Sequence, residues 1–196
     1  PFINLGLHLN NHKKDFIVGF FLGFIFFCFG YVLLITINEI NYLETNFVLK
    51  DFLLSIVVFS IVAIVEEVLF RGYVLRNFMY SFNKYIALIL SSLLFSLAHV
   101  WNPNIDFFSL LDLFLAGILL GISYIYTKNL WFPVGLHFSW NLFQSLFGFN
   151  VSGKDFYSLI EFEIIENNIL NGGDFGFEGS IFSTIFQVFL IFGIFF

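Results

Sequence analysis

Long apolar segments recur along the whole chain and are separated by shorter polar ones. A helix needs about 20 predominantly apolar residues to cross about 30 Å of hydrocarbon. Six segments approach this length, although the third is short. They are Phe16–Ile37, Phe52–Leu75, Tyr85–Val100, Phe107–Tyr126, Leu130–Phe149 and Ile181–Phe196. The pattern predicts an all-α fold, a polytopic transmembrane helical bundle with about six spans.

No linker or tandem repeat divides the chain, so we predict a single membrane-embedded domain over residues 1–196. Residues 52–149 carry the motifs described below and form its predicted core. The chain begins at Pro1 and ends on apolar residues, and we expect it to be a fragment truncated at both ends. The loop before the last segment contains DFYSLIEFEIIE at residues 155–166, for which we predict a short interfacial helix.

Two Gly-x-x-x-Gly patterns occur inside the apolar segments, Gly19/Gly23 and Gly117/Gly121. Small residues four apart let two helix backbones approach closely. Such a pair serves either a dimer face or packing within one chain, and we favour packing within the chain.

Composition supports the bilayer as the solvent. The chain is 59% hydrophobic and 11% charged, whereas an ordinary soluble domain has roughly a quarter charged residues. The net charge is −6 and the basic residues form no patch, which argues against nucleic-acid binding. A single cysteine, Cys28, excludes an internal disulfide and a cysteine-based zinc site.

Basic residues predict the orientation, because Lys and Arg mark the cytoplasmic ends of spans. Alternating spans place five of them on one side and two on the other. The first set is Lys13, Lys14, Arg76, Lys84 and Lys128, and the second is Lys50 and Lys154. We therefore predict an integral membrane protein with the motif site nearer the cytoplasmic side. The abundance of Phe, Ile and Asn points to a bacterial source, and so to a bacterial plasma membrane. Membrane lipid is an expected partner, and the oligomeric state is left open.

Several ionisable and polar residues fall inside the apolar segments, where each costs a few kcal/mol and functional use is the default explanation. Glu67 and Arg71 are four apart on one helix face, in the favourable order for an ion pair. Glu66 is rotated by about 100° and has no partner on its own helix. We predict that Arg71 holds Glu67, whereas Glu66 faces a cavity as a general base or acid.

Two further helices supply the remaining polar groups. His137 and Asn141 are four apart and offer two donors to one point, as an oxyanion requires. Phe95 lies one turn before His99 and shapes the wall or packs on the ring. Taken singly, each of these residues has a structural explanation, but jointly they indicate a functional site. Asp112 is left out of the catalytic set.

These three motifs resemble those of the CPBP family, the CAAX proteases and bacteriocin-processing proteins. The quoted residues are Glu66-Glu67-x-x-x-Arg71, Phe95-x-x-x-His99 and His137-x-x-x-Asn141. The similarity extends through AGILLGISYIYTKNLWFPVGLHFSWN and the loop NGGDFGFEGS. Members of this family are intramembrane endopeptidases, including the type II CAAX prenyl endopeptidase.

The resemblance implies a role for each residue. Glu66 would be the base that activates water, assisted by His99, and His137 and Asn141 would bind the oxyanion. Supporting positions would be Glu67 and Arg71, together with Phe95. Family members are often called metalloproteases, yet no His-Glu-x-x-His is present. We favour no metal cofactor, with zinc on Glu66, His99 and His137 as the alternative.

Two other classes of function stay open at this point. Intramembrane Glu and His also occur in transporters and proton relays, and an inactive scaffold could keep the motifs. The His137/Asn141 pair favours a hydrolase, because a proton relay gains little from an asparagine one turn from a histidine. The expected partner is a peptide or protein substrate, which could be a prenylated protein, a peptide precursor or a bacteriocin. In the last case the protein would process the bacteriocin or confer immunity to it.

Overall fold

The computed structural model describes residues 5–8 and 12–195, and helices dominate them. The α-helices are α1 (Lys13–Thr36), α2 (Leu49–Glu67), α3 (Arg76–Ser81), α4 (Lys84–Leu97), α5 (Phe107–Thr127), α6 (Trp131–Leu146) and α7 (Ile181–Phe195). A π-helical segment, Val68–Leu75, joins α2 to α3 without a break. Short 3₁₀ turns at Gly173–Phe175 and Phe177–Gly179 precede α7. The all-α prediction is confirmed.

The prediction of about six spans is not fully confirmed. Within the described residues, three helical segments are long and apolar enough to cross a membrane: Lys13–Thr36, Leu49–Ser81 and Phe107–Thr127. Helices α4 and α7 are apolar but shorter. Fourteen residues give α4 a length of about 21 Å, less than the hydrocarbon thickness. The predicted end of the last span at Phe196 lies outside the described residues.

The prediction of an interfacial helix at 155–166 is wrong. Residues Ile160–Ile164 form strand β2, which pairs antiparallel with strand β1 (Ile40–Thr45) in register Ile40↔Ile164. The segment IEFEI alternates apolar and acidic residues, which is the period of a strand. Its partner lies about 120 residues away in the chain, so the local pattern could not reveal the pairing. The two strands tie the α1–α2 connection to the loop after α6.

Helix α6 lies at the centre of the bundle and is buried over most of its length. On one side it packs against α1, where a Cβ added at Gly19 would lie 2.5 Å from Phe132 O and one at Gly23 would collide with Ser139. The other Gly-x-x-x-Gly pair, on α5, also packs against a helix of the same chain. A Cβ at Gly117 would lie 2.8 Å from Ser92 Cα, between α5 and α4.

A larger residue at Gly23 is expected to force α1 and α6 apart. Overpacking of this kind costs roughly 1–3 kcal/mol, so Gly23→Leu should lower the Tm of the purified protein by about 2–12 °C. Gly193→Leu on α7 is the matched control, because a Cβ there meets nothing within 4 Å. Thermal unfolding in detergent measures both variants. Equal Tm values for the two would show that α1 and α6 are not in close contact.

Candidate active site

A cavity of about 430 Å³ lies between α2, α4, α5 and α6, and it is closed on one side by the loop after α6. All four side chains predicted as catalytic line it: Glu66, His99, His137 and Asn141. The remaining wall is mostly apolar, with Phe, Leu, Val, Trp and Ala side chains. The structure therefore brings together motif residues that lie on three separate helical segments.

Glu66 faces this cavity. Its Oε2 atom lies 3.9 Å from His99 Nε2 and 3.9 Å from His137 Nε2. Neither distance is a direct hydrogen bond, and Oε2 has no hydrogen-bond partner among the described residues. The side chain is 27% exposed.

Glu67 points the other way and is completely buried. Its Oε1 atom accepts a hydrogen bond from Arg71 Nη1 at 2.8 Å. The same oxygen lies 2.8 Å from His137 Nδ1, a contact that helix periodicity did not predict. Glu67 therefore neutralises Arg71 and also fixes the ring of His137.

Arg71 is held on three sides in the interior. Besides Glu67, it donates from Nη2 to Gly117 O at 3.3 Å, and its guanidinium carbon lies 4.4 Å from the centre of the Phe95 ring. A buried guanidinium is tolerated only when its charge and donors are satisfied. The Phe95 ring face and the Gly117 carbonyl stabilise the part of the guanidinium that Glu67 does not bind.

The segment that carries Arg71 is a π-helix, whereas the sequence was interpreted as a regular α-helix. Residues four apart stay on one face in both geometries, so the Glu67–Arg71 pair forms as expected. The wider turn is anchored to α4 by Ser91 Oγ, which donates to Phe70 O at 3.1 Å. π-Helical turns occur often at functional sites.

His99 lies just beyond the end of α4, which stops at Leu97. Its ring packs on Phe95, with ring centres 4.9 Å apart, and Nδ1 lies 2.8 Å from Phe95 O. Because α4 is short, its far end reaches the level of Glu66 and His137. This explains how a residue fifteen positions after Lys84 joins a site in the interior.

The hydrogen-bond partners assign the tautomers of the two histidines. A carbonyl oxygen only accepts, so His99 Nδ1 carries a hydrogen and donates it to Phe95 O. Glu67, paired with Arg71, likewise accepts from His137 Nδ1. In their neutral forms both rings turn an Nε2 lone pair towards Glu66. Each Nε2 becomes a donor only when the ring is protonated.

Asn141 lies one turn after His137 and is nearly buried. Its side-chain amide makes no hydrogen bond with the described residues, although it lines the cavity. An amide NH₂ donates at any pH. Asn141 therefore offers the cavity a donor that does not depend on protonation.

Comparison with known proteins identifies this part of the chain. Residues 48–143 match the family model described as type II CAAX prenyl endopeptidase Rce1-like. This segment belongs to that family. It contains all three motifs that line the cavity. The match supports, at family level, a membrane endopeptidase of the CAAX-protease type.

One curated relative is an uncharacterized 24.3 kDa protein of Escherichia coli, which is 32% identical over 103 residues. The match covers 51% of this chain and 46% of that protein, so the chain spans about half the length of this relative. No solved structure matches the chain.

The alternative of a zinc ion on Glu66, His99 and His137 can be compared with the distances between these side chains. Two ligands of a tetrahedral zinc lie about 3.4 Å apart, whereas Glu66 Oε2 is 3.9 Å from each Nε2. Among the described residues, no group of three or more His, Cys, Asp or Glu side chains is arranged to hold a metal ion. The function proposed below uses no metal, as the sequence analysis favours, and zinc on these three residues is the alternative that the chelator experiment tests.

Other polar residues of the cavity escaped the sequence analysis, because they lie on loops or on the last helix. They are Asn102, Ser152, Lys154, Glu178 and Gln187. The loop NGGDFGFEGS, already similar to the family, was the available signal for Glu178. Burial raises the pKa of Glu178, and the backbone N–H of Ser152 that it binds partly opposes the shift.

Asp112 does not line the cavity. It is buried on α5 and accepts a hydrogen bond from Thr184 Oγ1 on α7 at 2.5 Å. His12 lies near the start of α1, where its Nδ1 atom is 2.6 Å from Asp15 Oδ2. Neither residue belongs to the candidate site.

Proposed function

We propose that this protein is an intramembrane endopeptidase that hydrolyses a peptide bond of a membrane-associated peptide or protein with water activated by a glutamate. The observation that carries the proposal is the division between the two adjacent glutamates. Glu67 is bound by Arg71, whereas Glu66 Oε2 faces two histidine Nε2 atoms at 3.9 Å in the cavity. A carboxylate free of a cation in a poorly solvated cavity is suited to general-base catalysis.

The reaction follows from these positions. Glu66 takes a proton from a water molecule, and the water oxygen forms a bond to the carbonyl carbon of the peptide. The resulting oxyanion accepts a hydrogen bond from the Asn141 amide. As the C–N bond breaks, Glu66 returns the proton to the leaving nitrogen, which yields a carboxylic acid and an amine.

The two histidines have different tasks in this scheme. His99 Nε2 accepts a hydrogen bond from the same water and so orients it towards Glu66. His137 donates to the oxyanion only in its protonated form, because Nδ1 already donates to Glu67. The carboxylates of Glu66 and Glu67 stabilise that positive charge. Glu67 is thus a positioning residue that acts through His137.

A proton relay or transporter is the competing function, and an inactive member of the family is another. The free amide of Asn141 in the cavity supports a hydrolase, since it can donate to an oxyanion but cannot carry protons. The proposed substrates include peptide precursors, bacteriocins and prenylated proteins. A role in bacteriocin immunity would follow from cleavage of such a peptide.

The proposal of water activation without a metal predicts that a chelator leaves turnover unchanged. Purified protein in lipid discs is incubated with a library of quenched fluorescent peptides, with and without the chelator. We expect cleavage at the same rate in both, and no cleavage by Glu66→Gln in either. Loss of cleavage on chelation, restored by zinc, would move Glu66, His99 and His137 into a metal site.

The charge distribution supports the proposed orientation of the helices, which we place in a bacterial plasma membrane. Lys84 and Lys128 lie at one end of the bundle, close enough for their charges to interact. Glu66 is ten residues before Arg76, about 15 Å along the helix, and thus nearer this basic, cytoplasmic end. Lys154, which the alternation of spans places on the opposite side of the membrane, also lines the cavity. Labelling of Lys128→Cys from inside and Lys154→Cys from outside, in a Cys28→Ser background, tests this orientation.

A further inference from the structure

A second polar wall of the cavity is separate from the three motifs. Helix α7 and the 3₁₀ turn before it contribute Gln187 and Glu178 to the lining. Glu178 is 8% exposed, and its Oε1 atom accepts a hydrogen bond from the backbone N–H of Ser152 on the facing loop. A buried carboxylate is therefore held at the edge of the space that a substrate would occupy.

The loop that carries Glu178 has a fixed backbone. Gly176 has φ +110°, and a Cβ there would collide with Asn150 O. Gly172 has φ +80°, and a Cβ there would collide with Gly176 O. On the facing loop, Gly153 N donates to Phe175 O at 2.8 Å. These contacts place the carboxylate before any substrate binds, so little ordering cost remains for binding.

This wall presents acceptors and lacks a cation, and the side chain of Gln144 hydrogen-bonds Glu178 as a neutral neighbour. Among the described residues, no Lys, Arg or His nitrogen lies within 4 Å of Glu178, and His99 attracts it only from farther away. Gln187 Oε1 is buried without a hydrogen-bond partner, while its Nε2 donates to Ser183 Oγ at 2.9 Å. Lys154 also lines the cavity but is exposed and forms no ion pair with Glu178.

We propose that Glu178 and Gln187 form a specificity subsite for a primary ammonium group of the substrate, from a lysine side chain or a free N-terminus near the cleaved bond. The inference rests on the proposed endopeptidase function. An ammonium group supplies three donors and one positive charge, which match a carboxylate and an amide oxygen. The apolar remainder of the cavity, including Phe59 and Leu69, accommodates the neighbouring apolar residues of the same peptide.

Paired peptides test the subsite. Each pair differs only in lysine against norleucine at one position near the cut, and each is made with a free and with an acetylated N-terminus. Wild-type kcat/KM should be about 10–100-fold higher for the peptide with the ammonium group. In Glu178→Gln that ratio should fall towards one. Glu163→Gln, on the exposed face of β2, is the matched control and should keep the wild-type ratio.

The acetylated arm separates the two sources of the ammonium group. The Glu178→Gln variant retains an acceptor for Ser152 N–H. A second variant of similar volume, Gln187→Met, should show a smaller loss of the preference in kcat/KM for the ammonium peptide. A wild-type ratio near one, or a ratio that survives Glu178→Gln, overturns the subsite but leaves the endopeptidase intact. Failure of the wild type to cleave any peptide instead rejects the proposed function.

Discussion

Glu66→Gln is expected to lower turnover by about 10²–10⁴-fold while the protein remains folded. The amide keeps the size of the carboxylate but cannot take a proton from water. Folding should survive because Glu66 Oε2 has no hydrogen-bond partner among the described residues and no salt bridge to Arg71. The measurement is the initial rate of peptide cleavage per mole of folded protein, with Tm recorded on the same sample.

Glu163→Gln is the control for this experiment, since it makes the same chemical change on the exposed strand β2. It should cleave like the wild type. Wild-type turnover in Glu66→Gln would end its assignment as the base. A loss of turnover that accompanies a large fall in Tm would make the residue structural.

Glu67→Gln is expected to damage folding first and activity as a consequence. It leaves the charge of Arg71 buried without its partner, and breaking a buried ion pair costs about 3–5 kcal/mol. For a protein of this size that corresponds to a fall in Tm of about 6–20 °C. We expect a lower yield from the membrane, measured by fluorescence-detected size exclusion.

A double variant separates the two tasks of Glu67. Glu67→Gln with Arg71→Met removes both charges, so the yield and Tm should recover in large part. Turnover should stay low, because His137 no longer has a carboxylate to fix its ring and stabilise its protonated form. Recovery of full turnover together with yield would show that Glu67 has no role beyond neutralising Arg71.

Helical periodicity was sufficient to separate the two glutamates. One residue of offset rotates Glu66 by about 100° from Glu67, and the structure has Glu67 on Arg71 and Glu66 in the cavity. The same reasoning could not find the contact between Glu67 and His137, because the two residues are seventy positions apart. Contacts of that kind depend on how α2 and α6 pack, which a local pattern does not contain.

Apolar length predicted where helices lie better than how many cross the membrane. The predicted segment Tyr85–Val100 overlaps almost all of α4, yet the helix ends at Leu97, and this early end places His99 beside Glu66. The strand Ile160–Ile164 was mistaken for a helix because its partner is remote in sequence. Glu178 was missed for a related reason, since a loop residue has no periodicity to indicate the surface it faces.

The most direct test of glutamate-activated water is cleavage of one peptide in ¹⁸O-labelled water, with product masses determined for wild type and Glu66→Gln. The reaction is run in the presence of a chelator. The account predicts two products from the wild type, with one solvent oxygen in the new carboxyl group, and no products above background from Glu66→Gln. Equal products from both proteins, or no cleavage by the wild type under any of these conditions, would contradict it.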